Sequence, residues 1–384
     1  MNLRIFFDPI KDLDQILFES SSLFHHVQIY SENFPNWQEA DIALIGLTEE
    51  RGTVSNLGLS KAPNEIRKKL YHLKKGSSVP KVVDLGNLRC GISLEESYLR
   101  LKEICECLIQ KNVIPFIIGG THDMDLGQFL AFETTGKLIN LLNVDSSIDM
   151  YGSDTFGVTR NHIHKILTND QNIIFHYSHL GYQSYLVEPE VIGILEKLHF
   201  ETYRLGHVKE HFREMEPVIR NADMLTFDIS AIKVGDAPGN KNGQPFGFTG
   251  EEACQLFWYA GLSSRMESVG IYEYNPEEDI KEKTAGVIAT MIWYFFEGFT
   301  LRTAKLDFND ARYIKFIVSL QADPHSIIFY KDSRTEKWWM EVPYPNEKVK
   351  YANNYIVPCS YEDYMQANKG EIPNRWILTH AKLI

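Results

Sequence analysis

Eight short apolar runs, "DIALIGL", "KVVDLG", "VIPFIIGG", "LINLLNVD", "IIFHYS", "FETYRL", "MLTFDIS" and "SVGIYEY", recur between Asp41 and Tyr274. Each is rich in β-branched residues, too short for an ordinary helix, and followed by a loop and a segment of helical periodicity. Strands this continuously apolar need cover on both faces, and a mostly parallel sheet with helices on either side provides it. The expected fold is α/β, with three layers around a mostly parallel, eight-stranded sheet.

In such sheets ligands bind beyond the carboxyl ends of the strands. There "GGTHD" sets His122 behind two glycines, which allow a sharp backbone turn. "DSSID" supplies Asp145 and Asp149, "TFDIS" supplies Asp228, and "YEYNPEED" supplies Glu273, Asn275 and Asp279. Two carboxylates about 4 Å apart repel by roughly 4 kcal/mol at an effective dielectric near 20. Three together therefore need a cation or extra protons. One imidazole with three carboxylates is the hard, mainly oxygen donor set of Mn²⁺ or a similar ion rather than of structural zinc.

The chain has 384 residues, 44% of them hydrophobic, enough for a large core, and a formal net charge of -12. That charge argues against a nucleic-acid or anionic-membrane partner, which calls for a dense basic surface. Five cysteines without framework spacing fit a reducing compartment, and Cys105 and Cys107 on a helical stretch lack the spacing of a zinc or redox motif. The first residues turn acidic too soon for a signal peptide, and "AGVIATMIWYFFEGF" is too short to span a bilayer, so a cytoplasmic location is expected. Residues 1–40 read as an N-terminal segment and 41–304 as the α/β domain. Residues 305–384 read as a C-terminal extension with a β-hairpin around Asp332 to Thr335. Its aromatics Trp338, Trp339 and Trp376 would pack on the main domain or on another copy of the chain, as a homo-oligomer.

The four polar segments resemble the ureohydrolase superfamily of arginases, agmatinases and formimidoylglutamases. "GGTHD", "DSSID" and "TFDIS" fall in the order of that family's hallmarks, with "DAPG" following Asp228 at a fitting distance and "NLGLSKAPNEIRKKL" similar to an earlier family stretch. The resemblance covers roughly residues 40–300 and implies an arginase-like fold. It also implies a first Mn²⁺ site made of His122, Asp145, Asp149 and Asp228, all of which are present. The family's second ion has two private ligands, a histidine and an aspartate. Ser147 and Ser230 stand in their places. Serine hydroxyls are poor neutral ligands, so the second site looks degenerate, and the cluster would hold one Mn²⁺ or none. Lys233, where the family has an aspartate, is a candidate substitute cation or a surface lysine. Asp123 would hold the His122 tautomer or cap a helix.

The resemblance also implies roles on the substrate side. His162, with His164 beside it, matches the histidine that carries protons to the leaving amine; Glu273 matches the acid that holds the cationic guanidinium or amidine, and Asp149 serves as a catalytic carboxylate as well as a ligand. Met150 to Arg160 would line the mouth, with Arg160 binding a substrate carboxylate or facing water. The leading expectation is a metal-dependent hydrolase of linear C–N bonds in a small guanidino or formimino compound, with weak activity if a single ion remains. The other is a catalytically silent relative that binds a ligand or a partner.

Overall fold

The computed structural model describes residues 1–11, 13, 16–152, 157–302, 306–321, 323–344 and 355–383. All eight apolar runs form strands of one sheet. They are β3 (Ile42–Leu47), β4 (Val82–Leu88), β5 (Ile114–Ile118), β6 (Ile139–Val144), β7 (Ile174–Tyr182), β8 (Glu201–Arg204), β9 (Met224–Asp228) and β10 (Ser268–Tyr272). In space they run β4-β3-β5-β10-β9-β6-β7-β8, every neighbouring pair parallel. The sheet has ten strands rather than eight. Two short pieces of the N-terminal segment, β1 (Phe7–Asp8) and β2 (Val27–Ile29), share the outer edge of β4, the first antiparallel and the second parallel. Pieces this short carry no legible periodicity, and through them the N-terminal segment is built into the sheet.

The order of the central strands is what assembles the polar residues. The chain leaves β5 and returns three places away as β6, and the gap is later filled by β9 and β10. Such reversals of strand order open a crevice at the carboxyl ends. Here the four adjacent strands β5, β10, β9 and β6 end in the four polar segments. Register completes the placement, with Val144 opposite Phe227 and Tyr272 opposite Asp228.

One face of the sheet is covered by the helices Gly250–Leu262 and Lys283–Leu301, among others. These two approach closely because each offers glycine: a side chain on Gly261 would meet the Phe295 carbonyl at 2.3 Å, and one on Gly298 the Trp258 carbonyl at 2.3 Å. The run "AGVIATMIWYFFEGF" is part of the second helix, whose 19 residues are long and apolar enough to cross a membrane by length and composition. That corrects the estimate from the run alone. Half of the apolar window is buried against the protein, including Ile288, Ile292 and Phe295, as for a core helix.

Beyond the main sheet lie β11 (Tyr313–Ser319), β12 (Ser326–Asp332), β13 (Trp338–Val342) and β14 (Tyr355–Cys359), an antiparallel sheet in chain order, followed by helices Tyr361–Asn368 and Asn374–Leu383. The hairpin at Asp332 joins β12 to β13. Its aromatics pack within the chain. Trp338 and Trp376 belong to a core with Phe329 and Met340, while Trp339 stacks under the Arg220 guanidinium at 4.4 Å. Arg220 also donates to the Trp338 carbonyl at 2.9 Å and to Glu216 at 2.7 Å, tying the extension to the α/β region.

Candidate metal centre

His122 follows β5 after Gly119 and Gly120, both in the left-handed region at φ 84° and 79°. A side chain on Gly119 would meet the Leu47 carbonyl and Pro63, so this turn depends on glycine. The His122 Nε2 lies 2.7 Å from Thr226 Oγ1, and that hydroxyl in turn donates to Asp125 Oδ2 at 3.2 Å. Because Thr226 spends its proton on Asp125, it accepts from His122, which places the imidazole proton on Nε2. Nδ1 then presents a lone pair. It makes no hydrogen bond, yet Asp228 Oδ2 lies 3.2 Å and Asp145 Oδ2 3.6 Å away.

His162 repeats the arrangement. Its Nδ1 donates to Asp125 at 2.8 Å, and its Nε2, also without a hydrogen bond, faces Asp149 Oδ2 at 3.6 Å. Lone pairs turned toward carboxylate oxygens are unfavourable unless a cation or a proton stands between them. Without an ion the imidazoles take up protons. Burial works against the charged form of His122, but Asp145 and Asp228 outweigh it and raise its pKa well above the ordinary range. For His162, burial is outweighed chiefly by Asp125, and the pKa is pushed up to about 9. Asp149 is held down to about 2 because His162 and Arg160 outweigh its burial, whereas burial and Asp228 push Asp145 up.

The three aspartates are divided oxygen by oxygen. Their Oδ2 atoms face the two histidines. Their Oδ1 atoms are already bonded on the opposite side. Asp145 Oδ1 accepts from Ser230 Oγ at 2.9 Å, the Ser147 amide at 3.2 Å and Ser146 Oγ at 3.3 Å. Asp228 Oδ1 accepts from the Ser230 amide at 2.6 Å. Asp149 Oδ1 accepts from Ser147 Oγ at 3.0 Å and Arg160 Nη1 at 3.3 Å. The Oδ1 side is thus closed by hydrogen bonds from serines and Arg160, which themselves line the cavity described below, and the Oδ2 side is left to the imidazoles. His122, Asp145 and Asp149 each offer a donor atom within 4.8 Å of the others, a buried N/O set of the kind that suits a hard divalent ion.

Above the cluster is a cavity of about 330 Å³ lined by Asp145, Asp149, Asp228, Glu273, Arg160 and Tyr185, among others. Glu273 follows β10 with φ at 66°, a strained setting for a non-glycine residue. Its carboxylate accepts from the His122 amide at 3.0 Å and Asn56 Nδ2 at 2.8 Å; burial and the nearby Asp228 push its pKa up to about 8. A cation beside it would favour its ionised form.

For Lys233 the surface alternative holds, and the expectations for Arg160, His162 and Asp123 need correction. Lys233 does not reach the cluster: its amide bonds the Phe248 carbonyl at 3.0 Å and its ammonium pairs with Asp236 at 3.3 Å. It lines a separate groove of about 1400 Å³ between surface helices, larger than the polar cavity but holding none of the clustered carboxylates. The cation that does touch the cluster is Arg160. His162 is 1% exposed and does not line the cavity, so it stands behind Asp149 rather than at the mouth; His164 lies partly exposed on the same short helix. Asp123 is neither cap nor tautomer partner, since it accepts from Tyr98. Asp125 serves both imidazoles, His162 directly and His122 through Thr226, and it lies one helical turn beyond His122, a spacing that was available in "GGTHDMD". Of the expected mouth, residues 153–156 lie outside the described residues.

A family model described as the arginase family matches residues 40–297. The formimidoylglutamase of Streptococcus gordonii is 25% identical over 295 residues, covering 70% of this chain and 88% of its own. Among solved structures, formimidoylglutamase from Bacillus subtilis superposes with a TM-score of 0.67 at 18% identity, covering 76% of this chain and 97% of that one. Formiminoglutamase from Trypanosoma cruzi, solved with Mn²⁺, gives 0.64 at 21% identity, covering 70% and 96%. At these identities the solved structures speak for the fold.

Proposed function

The chain belongs to the arginase family, and from that premise we propose that it hydrolyses a linear C–N bond in a small formimino or guanidino compound, formimidoylglutamase-like, at a centre holding one Mn²⁺. The observation that carries this reading is the division of the aspartate oxygens, with Oδ2 of Asp145 and Asp228 facing the unsatisfied His122 Nδ1, Oδ2 of Asp149 facing the unsatisfied His162 Nε2, and His122, Asp145 and Asp149 close enough to share one ion. His122, Asp145, Asp149 and Asp228 would hold the ion. When bound it supplies Lewis acidity and activates water for attack.

The remaining roles fall to side chains. Glu273, on the cavity wall, holds the cationic amidine, and that cation draws its raised pKa back toward the ionised form. Its own geometry is held by the His122 amide and Asn56. His162 positions Asp149 instead of carrying protons to the leaving group, being buried with its Nδ1 bonded to Asp125 and its Nε2 3.6 Å from Asp149 Oδ2. We take 41–304 as the catalytic unit, 1–40 as an edge of its sheet, and 305–384 as an appended region docked through Arg220.

The closed Oδ1 face favours a second reading, a silent relative that binds a ligand at the same cavity, since the family's second-ion ligands have given way to Ser147 and Ser230. Metal content after dialysis against Mn²⁺, beside a screen for ammonia, formamide or urea release, separates the two. One ion with turnover supports the hydrolase; one ion with no release from any formimino or guanidino compound supports the silent relative. No bound ion would sink the metal-centre reading itself.

A further inference from the structure

The closed face of the cluster is held by a charge as well as by hydroxyls. Arg160 Nη1 donates to Ser147 Oγ at 3.1 Å and to Asp149 Oδ1 at 3.3 Å. Ser147 occupies the position where the family resemblance expects a ligand private to the second ion. The arginine is not free to wander there. The turn that carries it is pinned by the amides of Val158 and Thr159, which both donate to the Gly52 carbonyl at 3.0 and 3.3 Å, and the Arg160 carbonyl accepts from the Tyr151 amide at 3.2 Å.

Charge balance points the same way. One divalent ion on the Oδ2 side and the guanidinium on the Oδ1 side would together offset the charge of the three aspartates, with Asp125 beside His162 and Glu273 beside the His122 amide outside that count. We propose that Arg160 is a built-in replacement for the second metal ion, and that its guanidinium, with the serine hydroxyls, restricts the centre to a single ion. A guanidinium suits this position better than an ammonium, since its planar array of donors can meet a hydroxyl and a carboxylate oxygen together. The inference rests on the one-ion reading above and adds the reason for the count.

The test is Mn²⁺ titration by calorimetry, with electron paramagnetic resonance to report whether bound ions are isolated or coupled as a pair. The natural chain should take one isolated ion; none or two would overturn the one-ion reading before Arg160 enters. Given one ion, Arg160→Met should bind it about tenfold more tightly or better, because a like charge has been removed from its surroundings. Arg160→Lys should stay near the natural affinity. Restoring ligands by Ser147→His with Ser230→Asp should still give one ion while Arg160 remains, and a coupled pair once Arg160→Met is added. If the two ligand substitutions alone recruit a coupled pair as tightly as the triple variant, or if Arg160→Met leaves the first ion's affinity unchanged, Arg160 is not the replacement cation. Should Arg160→Met fail to fold, Arg160→Gln is read by the same criteria.

Discussion

Under the C-terminal helix, the buried His176 and the half-buried Glu201, Arg375 and Lys382 form a charged group around a void of about 20 Å³. At the strand ends, Asp145, Asp149 and Asp228 look into a cavity of about 330 Å³. The first group finds its counter-charges within the chain, although Arg375 Nε makes no hydrogen bond. Glu201 accepts from His176 at 2.6 Å and from Tyr203 at 2.6 Å, His176 meets Lys382, and Arg375 stands 3.5 Å from Asp363. The second has three carboxylates, two imidazole lone pairs with no hydrogen-bond partner, and one guanidinium on the far side. Both groups take charge out of water, the first only in part and the second almost fully, so burial alone does not mark a functional site. The difference lies in whether the charges find their opposites inside the chain, and where they do not, the shortfall points to what must come from outside.

The most drastic break in that comparison is His122→Ala. It should lower Mn²⁺ affinity by more than about a hundredfold, since losing a direct ligand should cost more than losing its supporting shell, and a calorimetric titration that still shows a full-strength heat would remove His122 from the centre. The balanced group should ignore metal altogether. There Glu201→Gln should cost about 3–5 kcal/mol of stability, as for removal of one partner from a buried pair, equally with and without Mn²⁺ in chemical denaturation. The same carboxyl offers a pH signature. Burial tends to raise the Glu201 pKa, but His176 and Arg375 outweigh it and hold it well below the usual carboxylate range. A lowered acid contributes stability that is fully present above its unfolded pKa and drains away as pH falls, so that acid-side loss should be missing in Glu201→Gln.

A smaller effect of opposite sign distinguishes the other cluster. Burial and Asp228 raise the Asp145 pKa, which means its ionised form is disfavoured in the metal-free fold. Asp145→Asn should therefore stabilise the stripped protein by about 1–2 kcal/mol while weakening Mn²⁺ binding. Destabilisation of the stripped protein would mean that the cluster is already neutralised from within. The smallest effect belongs to Lys233→Met: with the ammonium on Asp236 at the surface, stability should change by no more than about 0.5 kcal/mol in either metal state.

What could be read from the chain follows from the range of the interactions involved. Eight strands were legible because each is a contiguous apolar run, and the placement of His122, Asp145, Asp149, Asp228 and Glu273 at their ends follows from where those runs stop. β1 and β2 were not legible, being two and three residues long, with pairing supplied entirely by β4. Asp125 was within reach, one helical turn from His122, but a spacing names a neighbour without saying what the neighbour touches.

Sequence alone therefore determined the α/β class and the order of the polar segments, both properties of contiguous residues, and it set Ser147 and Ser230 at the positions where the family resemblance implies second-ion ligands. Tertiary structure decided which oxygen of each aspartate is open, that His162 lies behind Asp149, and which cation enters. Lys233 is five residues from Asp228 yet is drawn off by Phe248 and Asp236, whereas Arg160 reaches Asp149 because the Gly52 carbonyl, more than a hundred residues earlier, holds its turn in place. The direction a loop takes from a strand end is set by partners distant in the chain, and no local spacing encodes them.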